Sequence, residues 1–120
     1  MKAAASTVLG NDFWEYLDWL VANSRLVIDR PKGSHHPRYP EITYPVDYGY
    51  LDGTTTVDGG GLDVWVGTLE GKPLSALVLT VDILKKDAEV KLLLGCTETE
   101  QQIILDFHNE GLMRAVKILR

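Results

Sequence analysis

Two short stretches of the chain carry residue types that could hold a divalent cation beside a phosphate group. The first runs from Asp58 to Asp63 and contains three consecutive glycines between the two aspartates. Glycine lets the backbone turn tightly enough for both carboxylates to point into one space, and carboxylate oxygens are the ligands that Mg²⁺ prefers. The same pattern is typical of a solvated turn, so this stretch alone leaves both interpretations open.

The second stretch places Asp87, Glu89 and Lys91 at alternate positions. Alternate residues of a β-strand share one face, so these side chains would suit a site that holds a metal ion and a phosphate together. An exposed strand of alternating charge explains the pattern equally well. Tyr44 and Tyr48 add two hydroxyl groups, which need hydrogen-bond partners even in a purely structural role.

Positive charge near these acids comes from Lys32 and Arg38, whose long side chains could meet phosphate oxygens. His35 and His36 lie between them. The two histidines are interpreted either as part of a polar turn, or as an extra phosphate contact or a ligand for a softer metal such as Mn²⁺ or Co²⁺. The single cysteine, Cys96, follows an apolar segment and is predicted to be a buried, inert thiol.

Length and composition limit what these motifs can belong to. The chain has 120 residues, 45% hydrophobic and 24% charged, which predicts one folded domain over residues 1–120 with a flexible N-terminus at 1–10. The formal net charge of -5 disfavours a nucleic-acid partner. No apolar stretch approaches the ~20 residues of a membrane-spanning helix. We therefore expect neither a nucleic-acid nor a membrane partner. The N-terminus is a poor secretion signal and the chain has one free thiol, so we expect a cytoplasmic protein.

Hydrophobic spacing predicts two helices around the motifs. Asn11 is the candidate N-cap of the first, which should end near Asn23. Its aromatic residues widen the apolar arc, which could be buried within the chain or against a second subunit. Thr97 and Glu100 predict a capping box for the second helix, and Gly111 is its predicted end. The apolar or half-polar residues expected to be buried on the second helix are Ile103, Ile104, Phe107 and His108.

Five segments are predicted as strands: 26–28, 62–66, 74–84, 89–94 and 113–119. The segment 31–61, rich in proline and glycine, is predicted as a long loop that its tyrosines keep ordered. Several short strands with few helices in one small domain predict an antiparallel barrel. The long loop would cross the mouth of the barrel and supply the site.

The order of these motifs resembles soluble family I inorganic pyrophosphatases. The resemblance rests on Asp-Arg-Pro-Lys-Gly-Ser at 29–34, Tyr-Pro-Val-Asp-Tyr-Gly-Tyr at 44–50 and the acidic loop at 58–63. It covers about residues 26–91 and, more loosely, the helix at 98–110. It implies a mainly β (α+β) fold, namely a small five-stranded antiparallel OB-like barrel with an N-terminal and a C-terminal helix. It also implies a homo-oligomer.

The same resemblance implies Mg²⁺-dependent hydrolysis of pyrophosphate, or of a related phosphoanhydride, to two phosphates, with Mn²⁺ or Co²⁺ as alternative metals. In that family, metal ions held by carboxylates activate a water molecule and neutralise phosphate charge, while lysines, an arginine and tyrosines hold the phosphates. The implied metal ligands are Asp29, Asp58, Asp63 and either Asp87 or Glu89. The implied phosphate-binding residues are Lys32, Arg38, Tyr44, Tyr48 and Lys91, and the implied catalytic residues are Asp58, Asp63, Lys91 and Tyr48.

Three departures from the family pattern suggest an alternative. Gly60 stands where the family has a middle aspartate that orients or deprotonates the attacking water. A hairpin within 38–44, which carries a substrate-binding arginine in the family, is absent, and Asn-Glu at 109–110 replaces a Tyr-Lys pair. The alternative is a catalytically silent relative that binds Mg²⁺ and phosphate ligands as a sensor or scaffold. Asp52 and Asp82 are candidates to approach the position of the missing carboxylate.

Overall fold

A single six-stranded β-sheet runs through residues 12–120, the part of the chain that this computed structural model describes. The strands are β1 (Arg25–Arg30), β2 (Asp47–Asp52), β3 (Leu62–Val66), β4 (Leu74–Asp82), β5 (Asp87–Leu94) and β6 (Met113–Leu119), and the helices are α1 (Phe13–Ala22) and α2 (Glu98–Phe107). The predicted flexible terminus at 1–10 and the predicted N-cap Asn11 lie outside the described residues.

The strand order is β1-β2-β3-β5-β4-β6. All neighbours are antiparallel except β3 and β5, which run parallel. The mainly β class with two helices is confirmed. The predictions of five strands and of purely antiparallel pairing are wrong, since β2 is a sixth strand and the β3–β5 pair is parallel.

The strand that sequence reasoning missed, β2, lies inside the segment predicted as a loop. Gly49, which the loop prediction includes, lies in β2 and pairs with Ile28 of β1. A Cβ atom at Gly49 would lie 1.8 Å from the carbonyl oxygen of Val27, so only glycine allows this pairing. The rest of 31–46 is ordered as a loop, as predicted, with backbone bonds between 33–36 and 42–44.

Each face of the sheet is covered over part of its area. Helix α1 packs on one face through Leu17, next to Val64 and Leu92. Helix α2 and the loop cover the other face, where Tyr44 and Ile104 pack against Trp65. Since successive strand residues point to opposite faces, both faces of β3 are buried, which is why its sequence alternates only weakly.

The ends of both helices follow local capping chemistry. Asp12 caps α1 by accepting a hydrogen bond from the amide of Trp14 at 2.9 Å, so the predicted cap Asn11 is wrong by one residue. Asn23 is the C-cap of α1, so the predicted end of this helix is confirmed. The capping box between Thr97 and Glu100 is confirmed as well.

The second helix ends earlier than predicted. Its C-cap is His108, whereas Gly111 (φ +58) lies in the turn before β6. The buried stripe of the helix contains Gln101, Ile104 and His108. Ile103 lies off this stripe and is 40% exposed, so its predicted burial is wrong.

Strand β4 ends two residues earlier than predicted, and strand β5 begins two residues earlier than predicted. Strand β4 stops at Asp82, whose carboxylate accepts hydrogen bonds from the amides of Leu84 and Lys85. Strand β5 already starts at Asp87, which pairs with Asp82.

No helix within the described residues is long and apolar enough to span a membrane.

Candidate functional site

Lys91 lies at the centre of the candidate site. Its Nζ donates to Oδ2 of Asp63 at 2.9 Å, to Oε1 of Glu89 at 2.9 Å and to the hydroxyl of Tyr48 at 2.8 Å. The side chain of Lys91 is 5% exposed, while those of Asp63 and Glu89 are 31% and 26% exposed. The site is thus a buried cation between two half-buried carboxylates and a phenol, and we call these four residues the Lys91 cluster.

Three strands build the Lys91 cluster. In the parallel pair of β3 and β5, Asp63 lies opposite Lys91. Alternation along β5 places Glu89 on the same face as Lys91, as the spacing predicts. Tyr48 comes from β2, the strand on the other side of β3.

The charges of this cluster are set by its burial. Burial by itself lowers the pKa of a lysine, but the adjacent Tyr48 and Asp63 outweigh it and raise the pKa of Lys91 above its ordinary value. Burial raises the pKa of Tyr48, against the opposing effect of the Lys91 ammonium. At neutral pH the cluster therefore holds an ammonium ion and a neutral phenol.

A second cation, Arg30, lies beside the cluster and was missed by the sequence analysis. It donates to the hydroxyl of Tyr44 and its guanidinium carbon lies 5.4 Å from the centre of that ring. Tyr44 is buried and stacks on Tyr48 with ring centres 5.4 Å apart. The pairing of β1 with β2 shifts register between Ile28 and Arg30, and this irregularity, which has no local sequence signal, determines which face Arg30 occupies.

Two cavities meet at the acidic wall of the cluster. One, of about 570 Å³, contains Lys91, Tyr48, Tyr44 and Arg30 in its lining, and we call it the phosphate-side cavity. The other, of about 830 Å³, is lined by the acidic loop and the start of β5, and we call it the acidic cavity. The residues common to both linings are Tyr50, Asp63 and Glu89.

The predicted metal ligands reach these cavities unequally. Asp58, Asp63, Asp87 and Glu89 all line the acidic cavity, and Asp29 lines the phosphate-side cavity. Within residues 12–120, no three acidic, histidine or cysteine side chains converge as a metal-binding group. The chemistry of the donors suits Mg²⁺, but the carboxylates of the chain alone do not form a cage for it.

The four carboxylates of the acidic cavity already have partners among the described residues. Asp58 is exposed, and its carboxylate accepts from the hydroxyl of Thr56 at 2.5 Å and the amide of Gly60 at 3.0 Å. The Thr56 hydroxyl lowers the pKa of Asp58, helped by the Gly60 amide. The Asp87 carboxylate lies 3.7 Å from the ammonium of Lys85, and the Glu89 carboxylate lies 2.9 Å from that of Lys91. Since both acids are paired with a lysine, both remain candidates for the metal ligand.

The acidic loop accepts a side chain at one glycine and not at its neighbour. A Cβ at Gly60 would meet only Oδ1 of Asp58, at 3.4 Å, whereas a Cβ at Gly61 would lie 2.7 Å from the carbonyl oxygen of Leu51. Gly61 is therefore required by the approach to β2. At Gly60, by contrast, steric crowding does not exclude a side chain. Gly60 lines the acidic cavity.

The two predicted basic residues of the loop stand apart from both cavity linings. Lys32 is exposed, and its backbone amide donates to Asp47 at 2.8 Å. Arg38 is also exposed, and its amide donates to Nδ1 of His36 at 3.0 Å. In this arrangement Arg30 and Lys91, rather than Lys32 and Arg38, supply positive charge next to the tyrosines.

Of the two histidines in the loop, His36 lines a cavity and His35 does not. His36 uses Nδ1 to accept backbone amides, stacks on Tyr44 and lines the phosphate-side cavity. His35 instead contacts the hydroxyl of Thr43 at 3.2 Å. The proton of His36 must therefore be on Nε2, where it is available to a bound anion.

Of the candidates for the missing carboxylate, only Asp82 lines the phosphate-side cavity. Asp52 is held in an exposed salt bridge to Arg25 at 3.0 Å. Glu110 also lines this cavity. Over its whole lining the cavity has three permanent cations (Arg30, Lys85, Lys91) and five carboxylates (Asp29, Asp63, Asp82, Glu89, Glu110).

A buried histidine, His108, is part of the lining of the phosphate-side cavity. The indole Nε1 of Trp65 donates to Nε2 of His108 at 3.0 Å, and Nδ1 of His108 lies 3.3 Å from the sulfur of Met113. Because an indole can only donate, His108 is neutral with its proton on Nδ1. Burial, with a smaller contribution from the charge of Lys91, lowers the pKa of His108 to about 3.

Cys96 is a structural thiol, as predicted. It is 2% exposed and belongs to the core around Trp65. Burial and the nearby Glu100 raise the pKa of its thiol to about 12, so the reactive thiolate is scarce at neutral pH.

Comparison with known proteins finds the fold in solved structures. No protein-family model and no curated protein sequence matches the chain. The inorganic pyrophosphatase from Thermus thermophilus aligns with a TM-score of 0.61 at 20% identity, over 79% of this chain and 81% of that one. Those from Neisseria gonorrhoeae (TM-score 0.56, 20% identity, 74% and 77% covered) and Helicobacter pylori (0.55, 15%, 78% and 81%) are similar as well. The chain thus has the fold of inorganic pyrophosphatases, which confirms the resemblance at the level of structure.

Proposed function

We propose that the chain is a divergent pyrophosphatase that hydrolyses pyrophosphate, or a related phosphoanhydride, with Mg²⁺ at the wall shared by the two cavities. The observation that carries this proposal is the Lys91 cluster, in which two carboxylates, an ammonium and a phenol from three strands meet in one place. An acidic wall suits the cation, and Lys91, Tyr48 and Arg30 suit the phosphate oxygens.

Mg²⁺ fits this site as part of a complex with the substrate. Proteins usually hold Mg²⁺ through one or two carboxylates together with substrate phosphates, rather than in a cage of protein ligands. Asp63 and Glu89 are the carboxylates that face both cavities, and Asp58 and Asp87 extend the acidic side. The surplus of carboxylates over cations in the phosphate-side cavity would repel bare pyrophosphate, so the anion should enter with its metal.

The residues of the chain then divide the work of the reaction. Hydrolysis breaks one bond from phosphorus to the bridging oxygen and forms one from phosphorus to the water oxygen, giving two phosphates. Lys91 and Arg30 would donate to phosphate oxygens and stabilise the charge that develops on the leaving group. Asp58 and Asp87, the other carboxylates of the acidic cavity, would be candidates to accept a proton from the attacking water. When bound, Mg²⁺ supplies neutralisation of phosphate charge and activation of water.

The second candidate function is that of a catalytically silent protein that binds Mg²⁺ and a phosphate ligand as a sensor or scaffold. Two observations favour it. Gly60 supplies no carboxylate to the acidic cavity, and the Lys91 ammonium already satisfies the two carboxylates of the shared wall. Loss of a general base commonly lowers a rate by ~10²–10⁴-fold, which would leave a binding site with little turnover.

Phosphate release from pyrophosphate in the presence of Mg²⁺ tests the proposal. The natural chain should release phosphate, and Asp63→Asn should abolish the release because it removes a carboxylate of the shared wall. Asp52→Asn is the matched control, since Asp52 contacts Arg25 on the surface and lines neither cavity. Equal turnover in the natural chain and in Asp63→Asn would contradict the assignment.

Thermal unfolding separates the two candidate functions. Methylenediphosphonate, in which carbon replaces the bridging oxygen, can bind in place of pyrophosphate without being hydrolysed. If the Mg²⁺ complex of this compound raises Tm while pyrophosphate yields no phosphate, the chain is the silent binder. Neither binding nor turnover would remove both candidates.

A further inference from the structure

The Lys91 ammonium occupies the place between Asp63 and Glu89 that a metal ion bound by both would need. Both carboxylate oxygens lie 2.9 Å from the same nitrogen, and the lysine side chain is 5% exposed. A divalent cation bridging these two oxygens would compete directly with a buried positive charge.

We propose that Lys91 is an internal counter-cation that prevents Asp63 and Glu89 from binding Mg²⁺ alone and releases them only when a phosphate group takes the ammonium. Metal and phosphate would then bind together, by an exchange of partners. Before binding, the ammonium pairs with the carboxylates; afterwards it pairs with phosphate oxygens, and the carboxylates pair with Mg²⁺. This inference deepens the proposed function and rests on it for the identity of the phosphate ligand.

The geometry of Lys91 suits such an exchange. Its third partner, the hydroxyl of Tyr48 at 2.8 Å, is neutral and can hold the ammonium while its charged partners change. The ring of Tyr48 also lies near the ammonium, with its centre 5.2 Å away. Lys91 lines the phosphate-side cavity, whereas Asp63 and Glu89 face both cavities. A phosphate on one side and a metal ion on the other can therefore reach their new partners without passing each other.

Calorimetric titration with Mg²⁺ alone, without any phosphate compound, tests the first half of the inference. The natural chain should bind Mg²⁺ weakly, and Lys91→Met should bind it at least ten-fold more tightly because the two carboxylates lose their counter-cation. The added affinity should disappear in the double variant Lys91→Met/Asp63→Asn. Lys117→Met is the matched control, because it removes a lysine that contacts the Oε1 of Gln101 at 3.2 Å, away from both cavities.

Titration with Mg²⁺-methylenediphosphonate tests the second half. The natural chain should bind this complex, and Lys91→Met should bind it at least ten-fold more weakly, since the phosphonate oxygens lose the ammonium. If the natural chain does not bind the complex, the proposed function fails, but the titration with Mg²⁺ alone still decides the role of Lys91.

The inference is overturned if a folded Lys91→Met, checked by near-ultraviolet circular dichroism, binds Mg²⁺ alone no more tightly than the natural chain does. If Lys91→Met does not fold, Lys91→Gln replaces it. The natural chain is also a test by itself, because an Mg²⁺ affinity that is the same with and without the phosphonate would refute the coupled binding of metal and phosphate.

Discussion

The backbone amide of Gly60 donates to the carboxylate of Asp58 at 3.0 Å. The residue that lacks a side chain therefore orients the acid two positions before it. Thr56 completes this small turn, since its hydroxyl donates to the same oxygen of Asp58 and its amide donates to the carbonyl of Gly60 at 2.8 Å. The hydrogen bonds within the acidic loop use only the backbone of residue 60. None of them therefore requires this residue to be glycine.

Adding an acid at position 60 should raise the rate of catalysis. Gly60→Asp places a carboxylate at the acidic cavity, where a Cβ meets only Asp58 at 3.4 Å, and a positioned base commonly contributes ~10²–10⁴-fold to a rate. We expect phosphate release from Mg²⁺-pyrophosphate to rise by about 10²-fold. Gly60→Asn is the matched control without the charge, and equal rates for the two variants would show that no base is missing there.

Removing the unpredicted cation should weaken phosphate binding. Arg30→Met deletes the guanidinium that lines the phosphate-side cavity and donates a hydrogen bond to Tyr44. We expect calorimetry to show at least a ten-fold loss of affinity for Mg²⁺-methylenediphosphonate. Arg25→Met is the control on the same strand. Among residues 12–120, the side chain of Arg25 forms one exposed pair, with Asp52, and such a contact is worth ~0–1 kcal/mol. Affinities lowered equally by both variants would contradict a specific role for Arg30.

Stability should depend on pH through His108. Its pKa is about 3 in the folded chain and about 6.5 when unfolded. The unfolded chain therefore binds a proton at this residue first, and stability present above pH 6.5 is lost as the pH falls towards 3. One such group lowers the free energy of unfolding by about 2 kcal/mol between pH 7 and pH 5.

His108→Gln provides the comparison for this pH dependence. Glutamine retains an acceptor for the indole of Trp65 but does not titrate. Urea unfolding at pH 7 and pH 5 should show a smaller difference in the variant than in the natural chain. The same difference in both proteins would assign the acid sensitivity to other groups.

Association into a homo-oligomer remains a prediction. Phe13 and Tyr16 on α1 are 59% and 38% exposed, and Leu79, Val90 and Val116 form neighbouring exposed positions across β5, β4 and β6. Burying such apolar surface against a second copy would be favourable. Light scattering should give a mass that is a multiple of 13.4 kDa, and Phe13→Ser with Tyr16→Ser should lower it if α1 is the interface. A mass of one chain for the natural protein would contradict the prediction.

The sequence by itself determined the local features of this protein. The capping box of Thr97 and Glu100, the common face of Glu89 and Lys91, and the burial of Cys96 follow from spacing and residue type, and the structure confirms them. Such features depend on interactions within a few residues of the chain. The resemblance of its motifs to those of pyrophosphatases extended the prediction to the fold.

Only the tertiary structure decided which charges meet. Asp63 and Lys91 are 28 residues apart and touch because β3 and β5 pair in parallel and in one register. Arg30 reaches Tyr44 because the pairing of β1 shifts by one residue, and Gly49 belongs to a strand because β1 passes close to it. Register and bulges arise from hydrogen bonds and packing between distant segments, so no local pattern could reveal them.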